Sequence, residues 1–212
     1  MSADADPELK LRSLRFGRRG LAVSVRCRAT TAPAKSSTDD TALDVWDAAV
    51  IVLCRYLADH DNVVRGRSVV EIGSGVGVAG LVAAASGAKQ ALITDGDAGV
   101  LRTIEGNIAL NRAAMPPTTA ASARLLRWGH AGDAKAAGRF DLVLGTDVVY
   151  FRSAVPLLRS TLDWLLVDGV GDAKTHKAAG DGKEQDRCGV FLLGHEVRRS
   201  VTFNADREPV IE

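Results

Sequence analysis

The stretch VVEIGSGVGVAG, residues 69–80, begins as a strand and ends as bare backbone. Val69, Val70 and Ile72 are β-branched and surround a single carboxylate, Glu71. Gly73, Gly75 and Gly77 then open a small-residue run, GVGVAGLVAAASGA (75–88), which reads as a helix. Strand, glycine turn and helix in that order form the opening unit of a parallel α/β sheet. A turn without side chains also lets a ligand come close to the main chain.

The same rhythm continues outward. ALIT (91–94) is a second apolar run, followed by a helix with Val100, Leu101, Ile104 and Ile108 on one face, ending near Asn111. MPPTTAAS (115–122) reads as a loop and RLLR (124–127) as a third strand. DLVLG (141–145) is a fourth, followed by a helix over 153–167 carrying Val155, Leu158, Leu162 and Leu165. VFLLG (190–194) is a fifth. Short, continuously apolar strands separated by helices predict a doubly wound parallel sheet covered on both faces. The Gly- and charge-rich stretch 168–187 is expected to be a mobile surface loop.

Upstream, Leu43, Trp46, Val50, Leu53, Cys54 and Leu57 make one helical stripe, with Asp44 or a nearby Thr as its cap. Residues 29–42 read as a linker. Before it, Leu9 and Leu11, then Leu21, Val23 and Val25, alternate with polar residues on either side of GRRG (17–20), the pattern of a β-hairpin. The alternative for this Arg-rich start is an organelle transit peptide, against which Asp4, Asp6 and Glu8 count. The expected division is therefore hairpin and linker over 1–42 and one catalytic domain over 43–212.

Bulk properties narrow the partners. The formal net charge is +1, which gives no reason to invoke nucleic acid or an anionic membrane. No run approaches the ~18 apolar residues of a membrane span. Three cysteines without CxxC spacing predict neither a disulfide framework nor a zinc site, and point to a reducing, cytoplasmic setting. His60, His130, His176 and His195 lie on separate segments without metal-ligand spacing, so no metal is expected.

In a doubly wound sheet, ligands gather beyond the carboxyl ends of the strands. Special residues stand at those ends here. Gly73 and Gly75 end the first run, but their spacing fits the dinucleotide fingerprint imperfectly, since Val78 stands three after Gly75. Glu71 would repel a pyrophosphate and welcome a cation such as the sulfonium or ammonium of adenosylmethionine; the plainer alternative is that it pairs with an Arg or caps a backbone amide. Asp95 is placed to accept ribose hydroxyls, with Asp97 as the candidate cap of the next helix. Trp128, beyond the third strand, is suited to wall an adenine pocket; Trp46 is a second candidate, with core packing as its alternative. Asp147 and Tyr150 end the fourth strand, where an acid can orient an amine and an aromatic face favours a cation. Their alternative is a helix-start Asp and a packed Tyr.

These motifs, VWDAA (45–49), GRSVVEIGSGVGVAGLVAAASGA (66–88), ITD (93–95), NIALN (107–111), RWG (127–129), FDLVLGTDVVY (140–150) and LLRSTLDWLL (157–166), resemble the seven-strand, non-SET protein methyltransferases, especially the methyltransferase-like 21 group of lysine methyltransferases. The resemblance implies a Rossmann-like sheet and S-adenosylmethionine held by Glu71, Gly73, Gly75, Asp95 and Trp128, with Trp46 nearby. It implies a protein lysine as methyl acceptor and the acid-x-x-aromatic motif on Asp147 and Tyr150. A small-molecule methyltransferase and a non-catalytic cofactor-binding protein are the alternatives. The family continues past its fifth strand with a helix and an antiparallel hairpin. The polar tail VRRSVTFNADREPVIE (197–212) is expected not to form that hairpin, leaving one flank of the fifth strand unpaired.

Overall fold

A computed structural model describes residues 9–28, 43, 45, 47–149, 151–167, 189–195, 201–203 and 209–211. Trp46, Tyr150, Asp44 and the stretch 168–187 lie outside the described residues.

The hairpin forms, and its second strand buries Val23 and Val25 as the alternation predicts, but in the first strand Leu11 is exposed and Leu14 and Phe16 pack inward. β1 (Leu9–Phe16) pairs antiparallel with β2 (Leu21–Arg28), with Phe16 opposite Leu21 and Gly17 to Gly20 making the turn. α1 (Asp47–Asp59) follows. The central sheet is parallel, five-stranded, in the order β5-β4-β3-β6-β7. Its strands are β3 (Ser68–Ile72), β4 (Gln90–Asp95), β5 (Ala120–Leu125), β6 (Leu142–Thr146) and β7 (Val190–Gly194). α2 (Val78–Ala85), α3 (Leu101–Asn111), α4 (Ala131–Ala137) and α5 (Ala154–Leu165) connect them.

Order reverses at β3. The chain moves outward to β4 and β5 on one side, then returns to place β6 and β7 on the other. The β3 and β6 ends therefore border the crevice where such sheets bind ligands.

Two apolar clusters sandwich the sheet. One joins α1, α2 and α3 and takes in Phe16, Val23, Val25 and Cys27 of the hairpin. The other joins Val70, Ile72 and Val143 of the sheet to Ala134, Leu158 and Leu165 of α4 and α5. The hairpin thus shares a core with the sheet-covering helices.

Three expectations change. The third strand is Ala120–Leu125, so the start of the strand falls within the stretch read as a loop. α4 has no counterpart in the apolar pattern of the chain. The tail does form an antiparallel pair: β8 (Val201–Phe203) meets β9 (Pro209–Ile211), with Val201 opposite Ile211. Two three-residue runs carry enough backbone to pair even in a polar tail, because the main chain supplies the hydrogen bonds. The pair is a separate sheet, and among the described residues β7 remains the last strand of the central one.

Candidate functional site

The glycine turn is built from below. Gly73 and Gly77 sit at φ +56° and +88°, which L side chains rarely adopt. Space forbids them as well. A Cβ on Gly73 would lie 3.1 Å from Val148 Cγ1 and 3.2 Å from Trp128 Cζ2; on Gly77 it would lie 2.9 Å from Ile93 Cγ2. Gly73 thus packs where a side chain would meet both Trp128 and Val148.

Glu71 is fully buried beneath this turn. Its Oε2 accepts from the Gly80 amide at 2.7 Å, and the Ala79 amide also stabilises its charge. Burial dominates and pushes the carboxyl up to about 8; the two amides pull it back, and nearby Asp95 adds to the rise. Of the two roles open to Glu71, the arrangement present is the capping of backbone amides, here in the first turn of α2.

Asp95 links the two nearest strand ends. Its Oδ2 accepts from the Gly75 amide at 2.9 Å and its Oδ1 from the Asp97 amide at 3.0 Å. Burial raises the carboxyl from its ordinary value, and these amides work against that. The Gly96 amide also stabilises this carboxylate, so of the about four lone-pair positions it offers, about one remains for another donor. Asp97 accepts from the Gly99 amide at 2.8 Å, two residues on, and α3 begins only at Leu101. Asp97 therefore caps the preceding turn and not the helix, a correction to its expected role.

Trp128 stands in the loop between β5 and α4, and that loop is clamped at both ends. Arg127 makes a bidentate pair with Asp133, Nε at 2.8 Å and Nη2 at 3.0 Å, holding the Asp133 carboxyl well below the usual carboxylate range. The Gly129 amide donates to the buried Thr161 hydroxyl of α5 at 2.9 Å. His130 caps α4, its Nδ1 accepting from the Asp133 amide.

Asp147 ends β6. It is buried, and its φ of +49° places it among the few residue types that tolerate the left-handed region. Its amide donates to Gly194 O at 2.9 Å across to β7. Its Oδ1 lies 3.3 Å from His195 Nδ1. Backbone held in this region at a strand end is a common mark of a working site.

The structure brings Gly73, Gly75, Asp95, Trp128 and Asp147 to one end of the sheet, with Glu71 beneath. Trp46 and Tyr150 are outside the described residues. Sequence reasoning missed three contributors. His195 follows β7 directly, so the strand-end rule would have found it, whereas metal spacing could not. Asp133 and Thr161, which hold the Trp128 loop, gave no signal beyond their polarity. No helix among the described residues is long and apolar enough to cross a membrane.

Known proteins match this architecture. The family model described as lysine methyltransferase matches residues 32–171. Mouse protein N-lysine methyltransferase METTL21A is 41% identical over 123 residues, covering 57% of this chain and 54% of its own. Mouse EEF1A lysine methyltransferase 3 is 39% identical over 118 residues, covering 56% of this chain and 48% of its own. Calmodulin-lysine N-methyltransferase of Arabidopsis thaliana is 33% identical over 129 residues, covering 60% and 42%. The chain spans about half the length of these curated relatives. Among solved structures, SMU.776 complexed with SAH superposes with a TM-score of 0.53 at 12% identity, covering 80% of this chain and 42% of that one. The SAM-dependent methyltransferase from Agrobacterium tumefaciens gives 0.50 at 20% identity, covering 77% and 51%. These likenesses carry the Rossmann-like fold, and the family match spans most of the sheet and both strand ends of the crevice: the chain belongs to the lysine methyltransferase family.

Proposed function

We propose that the chain binds S-adenosylmethionine at the crevice and moves its methyl group to a lysine amine on a protein substrate. The observation that carries the choice of ligand is Glu71. A dinucleotide would place its pyrophosphate on the first turn of the glycine-loop helix. Here the Ala79 and Gly80 amides of that turn already face a buried carboxyl group. A ligand without phosphates, carrying a ribose and positive charge, suits what is left. Asp95 keeps lone-pair capacity for a ribose hydroxyl. Trp128 packs close against Gly73 at the crevice, where its ring is suited to wall an adenine. Protein lysine as acceptor is supported by the relatives, whose names specify protein N-lysine, EEF1A or calmodulin-lysine methylation.

Bound there, the donor supplies an electrophilic methyl group on a good leaving sulfur. The protein must then deliver a neutral amine in line with it, within ~3–3.5 Å. A lysine carries its proton to about pH 10.4 in water, and a partly apolar approach lowers that value. Asp147, held rigidly at the β6 end, accepts a hydrogen bond from the amine and aims its lone pair. His195 beside it limits the directions that carboxylate can face. Tyr150, three residues on, is included as the channel-wall residue of the same motif.

The test uses tritium-labelled donor with whole lysate, resolved on a gel and in the small-molecule fraction. A discrete protein band is expected. Label confined to small molecules would overturn the protein substrate. Asp147→Ala should lose transfer at least ~100-fold while donor affinity changes less than about threefold. Equal loss of both would move Asp147 from the acceptor side to the donor site.

A further inference from the structure

Asn107 and Asn111 are the two buried polar side chains of α3. Neither takes part in the chemistry above. Asn107 Oδ1 accepts from the Arg26 amide at 2.7 Å, and its Nδ2 donates to Arg26 O at 3.2 Å. Asn111 repeats the pattern one helical turn on: Oδ1 accepts from the Ser24 amide at 2.8 Å, and Nδ2 donates to Ser24 O at 2.6 Å. Four residues of helix rise about 6 Å. Two residues of strand span about 6.8 Å. The periods match, so two carboxamides present to the edge of β2 the donor-acceptor pairs that a neighbouring strand would offer. α3 thereby substitutes for a third strand of the hairpin.

The two asparagines differ in their remaining hydrogen. Asn111 gives its own to Asn107 O, inside α3. Asn107 gives its own to Val76 O, at 3.0 Å. Val76 lies between Gly75 and Gly77, in the turn proposed to face the donor. The Gly75 amide in turn holds Asp95. One fully buried side chain thus ties the backbone of the N-terminal hairpin to the backbone of the glycine turn.

We infer that Asn107 is a positioning residue for the donor site, and that the N-terminal hairpin is a coupled part of that site. The inference rests on the proposed donor binding. A glycine turn is soft, because each residue in it has wide backbone freedom. Asn107 removes that freedom at Val76 only while β2 holds its carboxamide in place. Ordering the turn with ligand therefore orders the hairpin, and loosening the hairpin weakens ligand binding by the same factor, as linkage requires. A protein gripping the hairpin would adjust donor affinity through this side chain.

The probe is S-adenosylhomocysteine, with binding measured by calorimetry and ordering by amide hydrogen exchange. Asn107→Ala should weaken binding about tenfold, roughly the worth of one buried hydrogen bond. Asn111→Ala loosens the hairpin only at Ser24 and leaves Asn107 held by Arg26 and bonded to Val76, so it should weaken binding less than about threefold. Saturating ligand should slow exchange at residues 22–28 of the wild type, which requires no variant. Equal losses in the two variants, or hairpin exchange indifferent to ligand, would overturn the coupling. If the wild type binds no S-adenosylhomocysteine, the functional reading fails by itself. The coupling is then judged by whether Asn107→Ala speeds exchange at 22–28 and 73–77 together: joint acceleration upholds it and hairpin acceleration alone refutes it.

Discussion

At the scale of single residues, Glu71 determines what the crevice can accept. Its carboxyl is raised to about 8 from an ordinary 4.5, chiefly by burial, with Asp95 adding repulsion and Cys54 pushed up in its turn by burial and then by Glu71. Between those two values the folded protein holds a proton that the unfolded chain has released. Stability from this group is therefore fullest below about 4.5 and falls as pH climbs toward 8, by a few kcal/mol in all. Glu71→Gln keeps an oxygen for the Gly80 amide and cannot ionise. Urea melts at pH 5, 6.5 and 8 should show the variant gaining on the wild type as pH rises; parallel pH slopes would show that Glu71 stays charged in the fold. Much at this scale was readable in the sequence. Glu71, Asp95 and Asp147 announce themselves because a carboxylate inside or just past an apolar run must have a reason to be there. What Glu71 touches was not readable, since cation binding and amide capping place the same residue type at the same position. His195 was hidden for another reason: its partner Asp147 is 48 residues away, and only the β6–β7 register, Thr146 opposite Gly194, makes them neighbours.

At the scale of elements, the fit of α2 against β3 and β4 sets the shape of the turn. Gly80 lies in the first turn of α2, where a Cβ would meet Ile93 Cγ1 at 2.6 Å and Glu71 Oε2 at 2.8 Å. Alanine favours a helix over glycine by up to ~1 kcal/mol. Overpacking a rigid core costs ~1–3 kcal/mol, and here it also presses on a capping carboxyl. Gly80→Ala should therefore lower stability in spite of its better helix propensity, read as a reduced denaturation midpoint at unchanged slope. A raised midpoint would mean that α2 can slide away from the sheet. The strongly apolar elements were legible: VFLLG matches β7 residue for residue, and the VVEI that opens the glycine stretch lies within β3. β5 was misplaced because it is an edge strand of small residues, with Ala120, Ser122 and Arg124 exposed. Its register is set by β4 pairing, Gln90 opposite Ala120 through Asp95 opposite Leu125, and not by its own hydrophobicity. Leu126, which made RLLR look like a strand, is buried just beyond the end. α4 escaped notice because seven residues burying only Ala134 leave no stripe to detect.

At the scale of the whole molecule, the proposed ligand site draws on the whole width of the sheet. The glycine turn, the Asp95 loop, the clamped Trp128 loop and the Asp147–His195 pair come from five strand ends, and the contacts across them join segments distant in the chain. A ligand touching all of these loops would tie them to one another. Binding to the native state alone adds RT ln(1 + [L]/Kd), about 2.7 kcal/mol at a hundredfold excess over Kd. For a domain of this size each kcal/mol moves the melting point by ~2–4 °C. S-adenosylhomocysteine at that excess should therefore raise the melting temperature by roughly 5–10 °C. NAD should leave it unmoved, because its pyrophosphate would have to displace Glu71 from the α2 amides. The comparison is sharper with Asp95→Asn, which keeps one acceptor oxygen for the Gly75 amide but gives up the one that takes the Asp97 amide and the charge proposed to grip ribose hydroxyls. In that variant the ligand-free melting point should stay within a few degrees of the wild type, while the shift from S-adenosylhomocysteine should shrink by half or more. A full shift in Asp95→Asn, or an equal shift from NAD in the wild type, would place the ligand elsewhere in the sheet and undo the assignment of the crevice.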